Sequence, residues 1–106
     1  MTHDEYLEIT KQYSTVFFYD ENLHLKDSIE TKYLLTGYDF NGNASVYKVY
    51  KQPLQYGDYE FKTGYEYAIC STPKELNDAI KEQIIRMKKL KLEDRINSIE
   101  ADFVTF

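Results

Sequence analysis

Residues 72–90 read TPKELNDAIKEQIIRMKKL, and this stretch carries the strongest local signal in the chain. Thr72 suits the N-cap of a helix, Pro73 suits the first helical position, and Glu75 stands at the third. Neither Gly nor Pro follows Pro73 anywhere in the chain. The sequence therefore predicts a long C-terminal helix that begins at Pro73 and continues to about Phe103.

The apolar residues of this helix fall into two stripes. The first stripe consists of Leu76, Ile80, Ile84, Met87 and Leu90. The second stripe consists of Leu92, Ile96, Ile99 and Phe103, with Ile85 joining it from upstream. At about 100° per residue the two stripes are displaced by roughly 120° around the helix, so they cannot both face one flat sheet.

The length of this helix raises the same question. A straight helix to Phe103 would be about 46 Å long, whereas a compact domain of this size is roughly 33 Å across. Either the helix breaks near residues 89–93 and folds the second stripe back, or its end projects. A projecting end would bury the second stripe against another chain, and a homodimer through the C-terminal helix is one such arrangement.

Upstream of this helix the sequence predicts a short helix followed by strands. Thr2 and Glu5 have the spacing of a capping box, which favours a helix that ends near Tyr13. β-Branched and aromatic residues at 15–19 predict a strand, and the following residues 20–22 favour a turn. A second, shorter strand is expected after that turn.

Two further segments have strand signals. Residues 32–51 predict a hairpin in which Asn41-Gly42 forms a two-residue turn, so that Phe40 faces Asn43. Residues 58–69 alternate, with Tyr59, Phe61, Thr63, Tyr65, Tyr67 and Ile69 on one face, which predicts a half-buried strand that folds back, in one reading, at residues 62–64. Segregated helices and strands predict a single α+β domain over residues 1–106, with an antiparallel sheet of three to five strands under the long helix.

Composition excludes several classes of protein. The 106 residues are 42% hydrophobic and 29% charged, without the long apolar run of a membrane-spanning helix. The net charge of −5 argues against a general affinity for nucleic acid. Residues 1–8 lack the pattern of a secretory signal, so we expect a cytoplasmic protein.

Chemistry-bearing residues are sparse. Cys70 is the only cysteine, which excludes an intramolecular disulfide and a thiolate zinc cluster. His3 and His24 are the only histidines and have no acid or thiol at a ligand-like spacing. No catalytic residue, metal site or cofactor is predicted, and we do not expect an enzyme.

Tyrosine is the distinctive component, at eleven of 106 residues. Tyr combines apolar area with a polar tip and so suits interfaces, although it is also a common strand former that fills small cores. The candidate partner-binding residues are Tyr47, Tyr50, Asp20, Glu21, Asp58, Glu60 and Glu66. They predict a non-enzymatic protein that binds another protein.

In composition, the chain resembles the small acidic accessory proteins of phages and mobile elements, including inhibitors of host nucleic-acid enzymes such as anti-CRISPRs. That resemblance implies that the acids mimic phosphates against a basic groove of the enzyme. One alternative is a single-stranded nucleic-acid binder that uses Tyr47, Tyr50, Lys48, Lys51 and the basic residues 86–91. The other is a structural homo-oligomer built through the second stripe.

Overall fold

The computed structural model describes residues 1–26, 33–57 and 59–104, without the side chains of Tyr56 and of residues 93–104. Its elements are α1 (His3–Lys11), β1 (Phe18–Asp20), β2 (Asn22–His24), β3 (Thr36–Asp39), β4 (Asn43–Pro53), a short 3₁₀ helix (Gln55–Gly57), β5 (Tyr59–Cys70) and α2 (Pro73–Val104). The predicted α+β architecture is confirmed.

The strands form two antiparallel sheets, one of β1 and β2 and one in the order β3-β4-β5. Residues 33–35 link the two sheets, because Leu25 N donates to Tyr33 O and Leu35 N donates to Leu23 O, each at 2.8 Å. The prediction of three to five antiparallel strands is therefore confirmed. Because β2 lies beside residues 33–35, β1 and β5 are the outermost strands of the two linked sheets.

α1 begins as its capping box predicts. Thr2 Oγ1 accepts from Glu5 N at 3.2 Å, and Glu5 Oε1 accepts from Thr2 N at 2.9 Å. The strand predicted at residues 15–19 begins only at Phe18. The reason is that the amides of Val16 and Phe17 bond back to Tyr13 O and so continue the turn that follows α1.

α2 also begins as predicted, with Thr72 Oγ1 accepting from Glu75 N at 3.2 Å. Leu76 and Ile80 of the first stripe are fully buried, and the stripe's other three residues pack against the core. The helix continues to Val104 without interruption, so the break considered near residues 89–93 is wrong.

The second stripe is described only in part. Leu92 and Ile85 are exposed. Ile96, Ile99 and Phe103 have side chains outside the described residues, so their predicted role in helix packing or oligomerisation stays a prediction. The structure measures 58 Å along its longest axis and 26 and 25 Å along the others, as a long projecting helix requires.

The register of the β3–β4 hairpin differs from the prediction by one residue. Asp39 pairs with Asn43, so the loop has the three residues 40–42 instead of two. Asp39 supplies the reason, since its carboxylate accepts from Asn41 N at 2.5 Å and its carbonyl accepts from Gly42 N at 3.1 Å. Gly42 has a φ of +95°, which such three-residue loops need at their last position.

The pairing of β4 with β5 contains a register shift. Residues 44–47 pair with residues 67–70, and residues 49–53 pair with residues 59–63, which leaves Lys48 opposite the three residues 64–66. β5 runs through this point without folding back.

The shift explains why the alternation in residues 58–69 fails as a guide to burial. Phe61 is buried as predicted, whereas Tyr65, Tyr67 and Ile69 are 97%, 56% and 61% exposed. Beyond the shift the buried residue of β5 is Cys70, which has the opposite parity to Phe61. The two faces of the strand therefore exchange roles at residues 64–66.

Candidate partner-binding surface

The three-stranded sheet has an inner face that the two helices cover. Directly opposed residues of antiparallel strands share a face. Tyr38 opposes Ala44 and stacks on Tyr6 of α1 at 5.1 Å, while Val46 lines a groove against α2. Residues that alternate with these lie on the other side, which we call the outer face.

The outer face carries exposed apolar side chains. Tyr47 opposes Tyr67, with ring centroids 5.5 Å apart, and Ser45 opposes Ile69. Tyr67 and Ile69 are each more than half exposed to solvent. Both residues remain exposed although they are among the largest apolar groups of the strand and Tyr67 also borders the groove beside α2.

Beyond the register shift the outer face continues with Tyr50 and Glu60. Phe61 faces α2, since Lys91 Nζ lies 5.6 Å from its ring centroid. Tyr50 opposes Lys62 and Glu60 opposes Gln52, so both belong to the opposite side. The Tyr50 ring packs over Gly64, where a Cβ atom would collide with it. We define the outer patch as Tyr47, Tyr50, Tyr67 and Ile69.

Among the other predicted acids, Asp20, Glu21 and Glu66 do not join the outer patch. Asp20 lies 2.8 Å from His24 Nε2 across the β1–β2 turn, so His24 does have an acid beside it, contrary to the sequence analysis. Glu21 occupies the same turn at the opposite edge from β5. Glu66 forms an ion pair with Lys48 at 3.1 Å, and Asp58 lies outside the described residues.

A groove of about 570 Å³ separates the end of β5 from α2. Its charged lining residues are Lys48, Glu66, Glu82, Arg86 and Lys89. Three of these are basic and two are acidic, so the groove has no strong excess of either charge. Part of the predicted basic cluster at residues 86–91 therefore faces this groove.

Arg86 has a structural contact that its position in a basic cluster does not reveal. Its Nε donates to Val49 O at 2.6 Å, and Gln83 Oε1 of the preceding turn accepts from Val49 N at 2.9 Å. Val49 is the first regularly paired residue after the shift, so α2 satisfies the backbone groups there.

Two buried residues, Tyr6 and Cys70, carry titratable groups whose pKa burial raises. Tyr6 Oη bonds to Asn22 Oδ1 at 2.7 Å and to Thr36 Oγ1 at 2.9 Å, and burial raises the pKa of Tyr6 to about 12. Burial, with a smaller contribution from Glu75, also raises the pKa of Cys70. Cys70 is thus a buried neutral thiol at neutral pH and not a nucleophilic thiolate.

The sequence analysis named Tyr47, Tyr50 and Glu60 as candidate partner-binding residues without placing them on one surface, and it assigned Tyr67 and Ile69 to a half-buried face. Gln83 was missed altogether, because its partner is a backbone amide distant in sequence. The available signal was Gly64, since an isolated Gly within a strand pattern favours a bulge, and a bulge can exchange the faces that follow it.

In the described part of the chain no three His, Cys, Asp or Glu residues are grouped as metal ligands would be. No helix among the described residues combines the length and hydropathy needed to cross a membrane. Comparison with protein families, curated proteins and solved structures gives no match to this chain.

Proposed function

We propose that this chain is a non-enzymatic binding protein that engages another protein through the outer patch. The observation that carries the proposal is the exposure of Tyr67 and Ile69 beside Tyr47 on the outer face of the sheet. Covering such apolar area is favourable, and Tyr adds a hydroxyl that hydrogen-bonds at the edge of an interface.

Covering Tyr67 and Ile69 contributes free energy on the scale of an interface hot spot. Full burial of a large apolar side chain is worth roughly 1.5–3 kcal/mol. Tyr67 and Ile69 therefore supply the energy of a small interface hot spot, in which a few central residues carry most of the affinity. Tyr50, whose ring is held against Gly64, adds a prearranged aromatic surface next to them.

The test compares a double substitution in the outer patch with a substitution elsewhere. Tyr67→Ser with Ile69→Ser removes the patch, and Val16→Ser removes a side chain that is 48% exposed in the turn after α1. Wild type and both variants are immobilised and used to capture proteins from lysate of the native host, with quantitative mass spectrometry.

We expect the Val16→Ser protein to retain the captured partner and the patch variant to lose at least about tenfold in affinity, or 1.4 kcal/mol. Circular dichroism and urea unfolding establish that both variants fold. Equal capture by the folded patch variant would contradict the proposal.

The finer proposal is that the partner is a nucleic-acid enzyme that the chain inhibits. Two facts support it: the net charge of −5, and the position of Glu60 on the outer face with Tyr50. If Glu60 replaces a phosphate contact, Glu60→Gln weakens binding of the captured enzyme, and duplex DNA competes with the chain. An enzyme that binds DNA and the chain simultaneously would exclude this mode of inhibition.

Single-stranded nucleic-acid binding is the second candidate. The adjacent Tyr47 and Tyr67 rings favour it, because bases stack on such exposed aromatic pairs. Fluorescence anisotropy of a labelled oligonucleotide at low salt is the measurement. A binder of this class weakens steeply as salt rises and depends on Tyr67, whereas an unchanged anisotropy at low salt would eliminate it.

A further inference from the structure

The outer edge of β5 has main-chain groups aimed away from the sheet. Tyr47 N donates to Leu35 O, so the backbone of Tyr47 points toward β3. Because hydrogen-bonding direction alternates along an antiparallel strand, Val46 points toward β5 and bonds to the opposed Ala68. It follows that the N–H and C=O groups of Tyr67 and Ile69 point outward.

No strand within the described ranges pairs with this edge, because β5 is last in the sheet order. Residues 65–69 are consecutively exposed, and this run includes Ala68, whose inner side α2 leaves uncovered. Exposed edges of folded proteins are commonly protected by Lys, Pro or a bulge. In β5 the register shift and Glu66 lie just before this segment, and residues 67–70 themselves contain neither a charge nor a Pro. This edge is therefore suited to accept another extended strand.

We propose that the edge accepts β5 of a second copy of this chain, in antiparallel pairing about a two-fold axis at Ala68. Only outward-pointing residues can exchange main-chain hydrogen bonds across the new junction. An axis at Ala68 places Tyr67 of each copy opposite Ile69 of the other. Both residues whose main-chain groups point outward in residues 67–70 then form hydrogen bonds across the junction. The result is a continuous six-stranded sheet.

Two-fold axes at the neighbouring residues Tyr67 and Ile69 give poorer pairing between the two β5 strands. An axis at Tyr67 requires residue 65, which lies within the register shift, to pair regularly. An axis at Ile69 places Tyr67 opposite Ser71, beyond the end of the strand. The axis at Ala68 instead gives two aromatic and β-branched cross-strand pairs on the outer face, a favourable combination, and opposes no like charges.

The pairing joins the outer patches of two copies across the axis into one larger surface. The inference that this larger surface binds a partner rests on the proposed function. A partner with two-fold symmetry, or with a long apolar surface, would then contact both copies. The pairing itself depends only on the main chain and on Tyr67, Ala68 and Ile69.

The test uses the full chain in sedimentation velocity from about 1 μM to about 1 mM. We expect a monomer–dimer equilibrium for the wild type. Ile69→Pro removes an outward N–H that the sheet itself does not use, so it is expected to raise the dimer dissociation constant by about 100-fold or more. Ile69→Ser keeps the N–H and is the matched control, with a loss below about tenfold.

Amide hydrogen exchange gives a second measurement that requires no variant. Protection of the Tyr67 and Ile69 amides is expected to rise with protein concentration, together with the dimer fraction. A wild-type monomer throughout, or a dimer in which these two amides exchange freely, would overturn the inference. If the monomer still captures a partner through the outer patch, the proposed function stands without the pairing.

Discussion

Tyr6 joins three elements through one buried hydroxyl group, which bonds to Asn22 of β2 and to Thr36 at the start of β3. Burial is the main reason that its pKa rises to about 12. The folded protein therefore keeps this proton between about pH 10 and pH 12, whereas the unfolded chain loses it. Stability that is fully present below about pH 10 is lost as the pH rises through this range.

We predict that the free energy of unfolding falls by about 2–3 kcal/mol between about pH 9.5 and pH 12 from Tyr6 alone. Tyr6→Phe removes the titrating group and is expected to cost about 1–2 kcal/mol at pH 7, because it leaves two polar groups with one bond fewer. Urea unfolding across this pH range measures both effects. An identical alkaline decline in the two proteins would show that Tyr6 is not the source.

Gly64 and Tyr50 form a second single-residue constraint, because the Tyr50 ring occupies the space that a Cβ at position 64 would need. We predict that Gly64→Ala costs about 1–2 kcal/mol in the wild type. In a Tyr50→Ala background the same change should cost much less, since the colliding ring is absent. A double-mutant cycle by urea unfolding measures this coupling, and purely additive effects would refute the steric explanation.

At the scale of the elements, α2 is bonded to the sheet beside the register shift between β4 and β5. Gln83 and Arg86 of α2 bond the amide and carbonyl of Val49, which is itself fully buried. These bonds fix where the helix crosses the sheet, and they place Lys48 and Glu66 on the side of the groove that faces α2. The same shift sends Tyr67 and Ile69 to the outer face, so one irregularity positions both surfaces.

We predict that Gln83→Leu destabilises the protein by about 1–3 kcal/mol, because the Val49 amide loses its acceptor inside the protein. Glu82→Ala is the matched control, one residue away and exposed, with an expected change within about 0.5 kcal/mol. Chemical denaturation followed by circular dichroism compares them. Similar small changes in both variants would mean that the Val49 bond contributes little.

The elements were predictable where their signals are local. Thr2 with Glu5 and Thr72 with Glu75 marked both helix starts because each cap forms within one turn. Registers were not predictable in this way. Asn41-Gly42 fits a two-residue turn, and only the additional bonds to Asp39 select the longer loop. Gly64 indicated an irregularity, but where the faces exchange depends on pairing with β4.

The whole molecule has two candidate surfaces for self-association, the second stripe of α2 and the edge of β5. The described contacts of α2 with the core end at Lys91, which lies over the Phe61 ring, while the helix itself continues to Val104. The second stripe, with Leu92 exposed at its start, predicts association through the helix. The edge of β5, with which no strand in the described part of the chain pairs, favours association through the sheet. Both arrangements give a dimer, but they place its axis on different elements.

Ending the chain after Leu92 separates the two modes. We predict that the shortened protein unfolds cooperatively with a free energy within about 1 kcal/mol of the full chain, because every described core contact of α2 is kept. Sedimentation then decides between the interfaces. Pairing through β5 leaves the dimer intact in the shortened chain, and in a full chain carrying Ile96→Asp and Ile99→Asp. Association through the second stripe makes both proteins monomeric while Ile69→Pro stays a dimer, and unfolding of the shortened chain would show instead that residues beyond Leu92 support the core.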